Sequence, residues 1–396
     1  MPFFCPAHSR YTEGPMASPQ SAVHQSAVQL TRDLVRLRSI NPPGDEEPCA
    51  RLLAGILEDA GFRVSAHSFG AGRTSIIATL DGTGEGEPIC LTGHLDTVPL
   101  GSAPWQRDPL AAETDGDRLF GRGSSDMKSG VAAMTLAALA LAKRPRRKTG
   151  LVLIFTAGEE TGCDGARYLS QIDGLLPKAG ALLVGEPTGN QPLIGHKGAL
   201  WLKAAFQGVT AHGSMPELGD NAVLKAARGV LRVSEHEFDT ARHHHLGGPS
   251  LNVGSLHGGL NVNSVPDHAE VQIDIRTVPG QSNAAISEEI TRVIGEGAEL
   301  SRIVDVGAVA SNPQNEWISD VFDLYERASG QRVDPRGAPF FTDASVLTPA
   351  MGGIPTLIMG PGETAMAHKT NEYCHLSKID AAVDLYVEIL QRWTGA

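Results

Sequence analysis

Apolar positions follow two kinds of pattern along the chain. From Val23 to Phe62 they recur at largely helical spacing, and then short continuous runs take over: Ser75–Leu80, Pro88–Thr92, Gly150–Thr156 and Ala181–Val184. Between the second and third of these lies Lys128–Lys143, apolar over most of its length and predicted as a helix. Continuous apolar strands separated by helices predict a parallel or mixed sheet covered on both faces, the α/β class.

The character changes near Ala199. A strand over Ala199–Phe206, a helix over Asp220–Val233, strands over Ser250–Leu256 and His268–Thr277, a helix over Asn283–Glu296 and a strand over Ser301–Val309 make a βαββαβ unit, a small antiparallel sheet with helices on one face. The α/β pattern then resumes, with a helix over Ile318–Ala328, a strand over Thr356–Met359 and a closing helix over Ile379–Thr394. The chain therefore reads as a mixed-sheet domain of residues 21–198 and 311–396, interrupted by an inserted domain of residues 199–310. Residues 1–20 are expected to be a disordered extension, with Met16 as an alternative start.

Composition narrows the function classes. A chain of 396 residues is long enough for two domains, and 41% hydrophobic with 20% charged residues excludes a disordered protein. The longest strongly apolar stretch, Val131–Ala142, is too short to span a bilayer. A net charge of −12 with scattered Arg and Lys speaks against a nucleic-acid partner, and the basic cluster Lys143–Lys148 reads as a helix end and solvated loop. Cys5, Cys49, Cys90, Cys163 and Cys374 are odd in number and widely spaced, which indicates neither a disulfide framework nor a thiolate metal site and fits a reducing cytoplasm. The tract His243-His244-His245 reads as a solvated loop.

Five polar clusters stand at or just after strand ends, where open α/β sheets place their ligands. In Thr92–Pro99, His94 and Asp96 are two apart and share a face of an extended strand, so one can bind a metal while the other orients it. Asp126, within Gly121–Gly130, precedes a helix and taken alone reads as its N-cap. Glu159 and Glu160 follow the most hydrophobic strand, where adjacent carboxylates repel and require a cation or a proton. Glu186 ends another strand, and His368 lies in Ala367–Glu372, after the glycine-rich Gly360–Gly362.

Nitrogen and carboxylate donors without thiolates suit zinc, cobalt or manganese, and there are more than one catalytic zinc takes. Two metals sharing a carboxylate fit the count. Such a pair would polarise a carbonyl and acidify a water whose proton a nearby Glu accepts, which is hydrolysis without a protein nucleophile. No G-x-S-x-G elbow occurs, and a non-catalytic binding protein on the same fold would be expected to lack ligands that are all present here.

In this order, GHLDTVP, GRGSSDMKSG, GEETG, GEPT and HKTNEY resemble the M20 family of metallopeptidases and deacylases, over nearly the whole chain from about Ser26. The resemblance implies one zinc on His94, Asp126 and Glu186 and another on Asp126, Glu160 and His368, with Asp126 bridging. It makes Glu159 the general base, Asp96 the partner of His94, and the Asp126–Met127 peptide bond cis. The inserted domain then corresponds to the family's lid and dimer surface, and the chain to a homodimer. Within the insert, His212 resembles the oxyanion-stabilising residue that reaches into the partner subunit's site, in a segment that reads AHGS where AHSS is usual. Asn263 and Arg276 resemble positions that hold the substrate carboxylate. Lys197 resembles another cationic position and Gly362 a pocket-lining one. Without the resemblance, Arg276 would read as an exposed strand-end cation. Phe340 and Phe341 fall where the acyl or side-chain part of a substrate would lie, as an apolar wall. The expected reaction is amide hydrolysis of an N-acyl-L-amino acid, as in acetylornithine deacetylases and succinyl-diaminopimelate desuccinylases, with a di- or carboxypeptidase of the same mechanism as the alternative.

Overall fold

In a computed structural model that describes residues 19–144 and 146–396, with side chains from Ala27 onward, each short continuous apolar run becomes a strand whose side chains are mostly buried. Residues 1–18, the bulk of the expected extension, and Cys5 lie outside the described residues, while Pro19 and Gln20 open the first helix. The chain runs α1 (Pro19–Arg36), α2 (Glu47–Asp59), β1 (Arg63–Gly70), β2 (Arg73–Leu80), β3 (Ile89–His94), α3 (Ser129–Ala142), β4 (Leu151–Thr156), α4 (Asp164–Ser170) and β5 (Ala181–Val184). It continues with β6 (Gly198–Gln207), α5 (Ala222–Ser234), β7 (Ser250–Gly258), β8 (His268–Thr277), α6 (Asn283–Ile294) and β9 (Ala298–Val306). The closing stretch holds α7 (Glu316–Ser329), α8 (Ala344–Ala350), β10 (Thr356–Ile358) and α9 (Leu376–Thr394).

The helical pattern of Val23–Phe62 divides into α1 and α2 because Pro42 and Pro43 stand between them and cannot donate to a helix ladder. β1 has no counterpart in the apolar pattern. It is a mostly exposed edge strand paired only with β2, so it has little apolar face to betray it.

Six strands form one mixed sheet in the order β1-β2-β4-β3-β5-β10. β4, β3, β5 and β10 are parallel, whereas β2 runs antiparallel to β4. One face is covered by α1, α2, α3 and α9 around Leu34, Leu53, Phe155 and Tyr386, the other by α4 and α8 around Ile154, Leu182 and Leu347. Because the four central strands are parallel, their C-terminal ends emerge along a single edge. His94 is in register with Thr156, and Thr92 and Ile358 are both in register with Val184, so the segments that follow these strands share a crevice. α3 is buried nearly all round, and its small residues let it approach that crevice. A Cβ on Gly130 would lie 2.1 Å from the carbonyl oxygen of Gly185.

Between β5 and α7 stands the βαββαβ unit, a second antiparallel sheet in the order β7-β8-β6-β9. Its alternate side chains Leu200, Leu202, Val271, Ile273 and Ile275 pack on α5 and α6. β9 ends at Val306, short of the expected Val309. Val309 and Ala310 instead pair with His196 and Gly195, where the chain leaving the unit lies beside the chain entering it. A third small sheet joins Tyr373–His375 to Arg118–Phe120 and Thr114–Asp115, pieces too short for periodicity to show.

Candidate metal centre

The crevice collects the ends of the parallel strands. His94 closes β3 and is buried; its Nε2 lies 3.1 Å from Asp126 Oδ1 and 3.7 Å from Glu186 Oε1. Across the same carboxylate, His368 Nε2 lies 3.3 Å from Asp126 Oδ2 and 3.0 Å from Glu160 Oε2. Asp126 thus turns one oxygen to each histidine. Two donor groups result, His94–Asp126–Glu186 and Asp126–Glu160–His368, each with ligand atoms within 4.8 Å of one another. No other such group occurs among the described residues, His243-His244-His245 included.

Asp126 is not a helix N-cap. Its φ and ψ of −120° and 96° are extended, α3 begins three residues later, and the Asp126–Met127 peptide bond is cis. Its carboxylate is therefore free to face the histidines.

Asp96 sits beneath the site. Its Oδ1 accepts hydrogen bonds from the backbone N–H of Gly158 and Glu159 at 3.0 and 3.1 Å, and its Oδ2 accepts from Glu160 N–H at 3.1 Å and Asn41 Nδ2 at 2.9 Å. The far ring nitrogen of His94 lies 2.9 Å from the Asp96 backbone carbonyl oxygen and 3.5 Å from its carboxylate, so both parts of Asp96 face the ring. One residue thereby fixes a histidine and the loop that carries both glutamates.

Sequence reasoning missed a second anchor. Glu372, fully buried, accepts backbone hydrogen bonds from Gly123, Ser125 and Asp126 at 3.0, 2.8 and 3.0 Å and pairs with Arg122 at 2.7 Å. It holds the backbone that presents Asp126. Its presence in the HKTNEY segment was the available signal, but only the strand Tyr373–His375 brings it under Asp126. Lys128 is another: it is buried, with its ammonium donating to the carbonyls of Leu34 and Leu37 at 2.9 and 2.8 Å, which ties the segment after Asp126 to the end of α1.

The electrostatics of the site suit a cation. Burial pushes the Glu159 and Glu186 carboxyls well above the ordinary carboxylate range, with neighbouring acids adding to the effect and His94 opposing it. Burial also raises Glu160, and Asp126 beside it raises it further. Asp126 moves the other way: hydrogen bonds from His368 and His94 overcome its burial and hold it low. The same bonds to Asp126 and Glu160 lift His368 to about 10. Protons thus balance the crowded acids, and a divalent cation would displace them. Glu160 Oε1 is buried without a hydrogen-bond partner, an oxygen left over for such a cation.

A cavity of about 390 Å³ opens above these groups. Asp126, Glu159, Glu160, Glu186 and His368 line it as its floor, and Trp201, Arg276, Phe340 and Phe341 as a wall. Gly362, expected to line the pocket, does not: a Cβ there would come within 2.1 Å of the Ser125 carbonyl oxygen, so no larger residue fits against the backbone next to Asp126. Three more of the expected groups are elsewhere. Lys197 donates to the Gly248 carbonyl, Asn263 accepts from Gly213 N–H through its backbone, and His212 is exposed with Nδ1 2.7 Å from Ser214 Oγ. None of the three lines the cavity.

Residues 90–392 match the family described as peptidase family M20/M25/M40. The chain belongs to this family. As an M20 member it is a metal-dependent hydrolase of the peptidase and deacylase type. It is 27% identical to a probable succinyl-diaminopimelate desuccinylase of Staphylococcus epidermidis over 93% of this chain and 98% of the relative. It is 29% identical to an acetylornithine deacetylase of Salmonella heidelberg over 86% and 90% respectively. In fold it is similar to a Bacillus subtilis protein described as a dinuclear metal binding peptidase from the M20 family, with a TM-score of 0.69, 17% identity and coverage of 95% and 99%. The α/β architecture with an inserted βαββαβ unit is that of an M20 peptidase.

Proposed function

We propose that this M20 hydrolase cleaves the amide bond of N-acyl-L-amino acids with two divalent cations, zinc by the donor chemistry and cobalt or manganese as alternatives. The observation that carries the reading is the pair of donor groups sharing Asp126, set on one cavity floor with Glu159, a carboxylate that belongs to neither group. The names of the curated relatives, a deacetylase and a desuccinylase, support the substrate class.

His94, Asp126 and Glu186 would hold one cation and Asp126, Glu160 and His368 the other. When bound, such a pair supplies Lewis acidity to the scissile carbonyl and brings the pKa of a water toward about 7. Glu159 takes the proton from that water as its oxygen joins the carbonyl carbon, and returns it to the amide nitrogen as the C–N bond breaks, leaving a carboxylic acid and an amine, between which the remaining proton then passes to give carboxylate and ammonium. Asp96 keeps His94 oriented and the Glu159 loop in place through both transfers. Arg276, which lines the same cavity, would bind the substrate's carboxylate.

Residues 199–310 act in this reading as a lid and as the surface of a homodimer. Exposed apolar side chains concentrate there, with Val209, Leu218, Leu224, Leu231, Leu260 and Val262 all more than half exposed. His212 and Asn263 adjoin that surface and not the cavity of their own chain, which suits residues that complete the partner's site as oxyanion donor and carboxylate ligand. The four described cysteines are free and buried, which suits the cytoplasm, and among the described residues no helix is long and apolar enough to cross a membrane.

Dialysis against a strong chelator is expected to abolish hydrolysis of N-acetyl- and N-succinyl-amino acids, and zinc or cobalt to restore it. Activity indifferent to metal removal, or cleavage of peptides alone, would overturn the reading.

A further inference from the structure

The aromatic part of the cavity lining follows from strand periodicity. With Leu200, Leu202, Ala204 and Phe206 of β6 and Ala269, Val271, Ile273 and Ile275 of β8 packed on α5 and α6, Trp201, Asp274 and Arg276 turn to the other face of that sheet, and Trp201 and Arg276 reach the cavity. Trp201 and Asp274 are direct cross-strand partners, and the indole N–H donates to Asp274 Oδ1 at 2.9 Å. Asp274 also accepts from Arg276 Nε and Nη2 at 3.1 and 3.0 Å, so one carboxylate fixes both the ring and the guanidinium.

Phe341 meets this pair from the other domain. Its ring lies edge-to-face with Trp201, centroids 6.0 Å apart at 74°, and the guanidinium carbon of Arg276 is 5.8 Å from the Phe341 centroid and 6.0 Å from that of Trp201. Phe340 continues the apolar surface. All three aromatic residues pack against the core on one side and remain partly open to the cavity on the other.

We propose that this wall selects substrates whose carboxylate-bearing half carries an aromatic side chain, making the enzyme a hydrolase of N-acyl aromatic L-amino acids. The inference rests on the N-acyl-amino-acid reading above. A carboxylate bound by Arg276 sets the side chain of the same residue within reach of Trp201 and Phe341, where a third ring can join the edge-to-face pair. A cationic side chain in that place would meet the positive charge of Arg276, while the nearest wall carboxylate, Asp274, is already engaged by Arg276 and Trp201.

The test is a panel of N-acetyl derivatives of L-phenylalanine, L-tryptophan, L-alanine and L-ornithine at equal concentration with the metal-loaded enzyme. The aromatic substrates are expected to exceed alanine in kcat/KM by about tenfold or more, and ornithine by at least as much. Hydrolysis with alanine or ornithine preferred or equal, or of none of the four, overturns the inference, and the N-acyl reading falls with it only if the N-succinyl derivatives of the same amino acids are not cleaved either. Phe341→Leu and Trp201→Leu are expected to bring the phenylalanine-to-alanine ratio toward about one, and an unchanged ratio in both would overturn the role of the wall. Should either variant fold poorly, inhibition of the unaltered enzyme by the free amino acids serves: L-phenylalanine must bind about tenfold more tightly than L-alanine.

Discussion

Glu159 and Glu160 are neighbours in the chain with different surroundings. Glu160 faces His368 at 3.0 Å, whereas Glu159 lines the cavity outside both donor groups. Removing the charge of Glu159 should therefore cost proton transfer and spare metal. Glu159→Gln is expected to lower kcat by about 10²- to 10⁴-fold, with metal content by atomic absorption unchanged. Glu372 calls for the opposite result. Gln in its place can no longer accept at both oxygens, so some of the N–H groups of Gly123, Ser125 and Asp126 and the Arg122 guanidinium lose a partner. Metal affinity in Glu372→Gln, measured by competition with a chromophoric chelator, should fall by about 10- to 100-fold; an unaltered affinity would show that Asp126 is held without it.

At the scale of elements, the paired segments Gly195–His196 and Val309–Ala310 carry the chain into and out of the inserted unit. His196 is fully buried there, and burial lowers its pKa to about 4 from an ordinary 6.5. Between these values the unfolded chain takes up a proton that the folded one refuses, so stability is lost as pH falls from about 6.5 toward about 4 and is fully present above that window. The loss amounts to roughly 3 kcal/mol by the order of the shift. Thermal unfolding of the unaltered protein and of His196→Gln across this range should show the variant losing less stability on acidification. Equal slopes would mean that His196 does not titrate as placed. This signal was legible only in part: His196 was visible beside Lys197, but its burial depends on a pairing with residues more than a hundred positions away.

For the whole molecule, the proposed function makes His212 the residue that a partner subunit would receive. It is exposed on the inserted unit and absent from the cavity lining of its own chain. If the partner subunit receives it, His212→Ala should lower kcat by about 10²-fold, as loss of an oxyanion donor does, while metal content and dimer mass by sedimentation stay the same. Mixing His212→Ala with Glu159→Gln should then restore part of the activity, because a mixed dimer contains one site with both residues intact. Failure of mixing to restore activity, with subunit exchange demonstrated, would place His212 in its own chain's reaction through lid closure.

Long elements with one-sided or complete burial were legible: the apolar runs became β2 to β5, and the βαββαβ order appeared with its boundaries displaced by a few residues at most sites, whereas the seven-residue helices α4 and α8 gave too few turns to read. Edge strand β1 and the short strands Thr114–Asp115, Arg118–Phe120 and Tyr373–His375 escaped, β1 because it has little apolar face and the others because they are too short for a period to show. The site divides in the same way. Residue type and position after strand ends determined which acids and histidines could act together, because parallel strands deliver their C-terminal ends to one edge. Spacing left Asp126 as a cap of α3 and only the resemblance implied that two histidines share it, whereas tertiary structure alone decided that Glu372 lies beneath it and that Trp201 and Arg276 from one sheet meet Phe341 from another part of the chain. Each depends on contacts between distant segments, and spacing along a sequence carries no measure of distance across a fold.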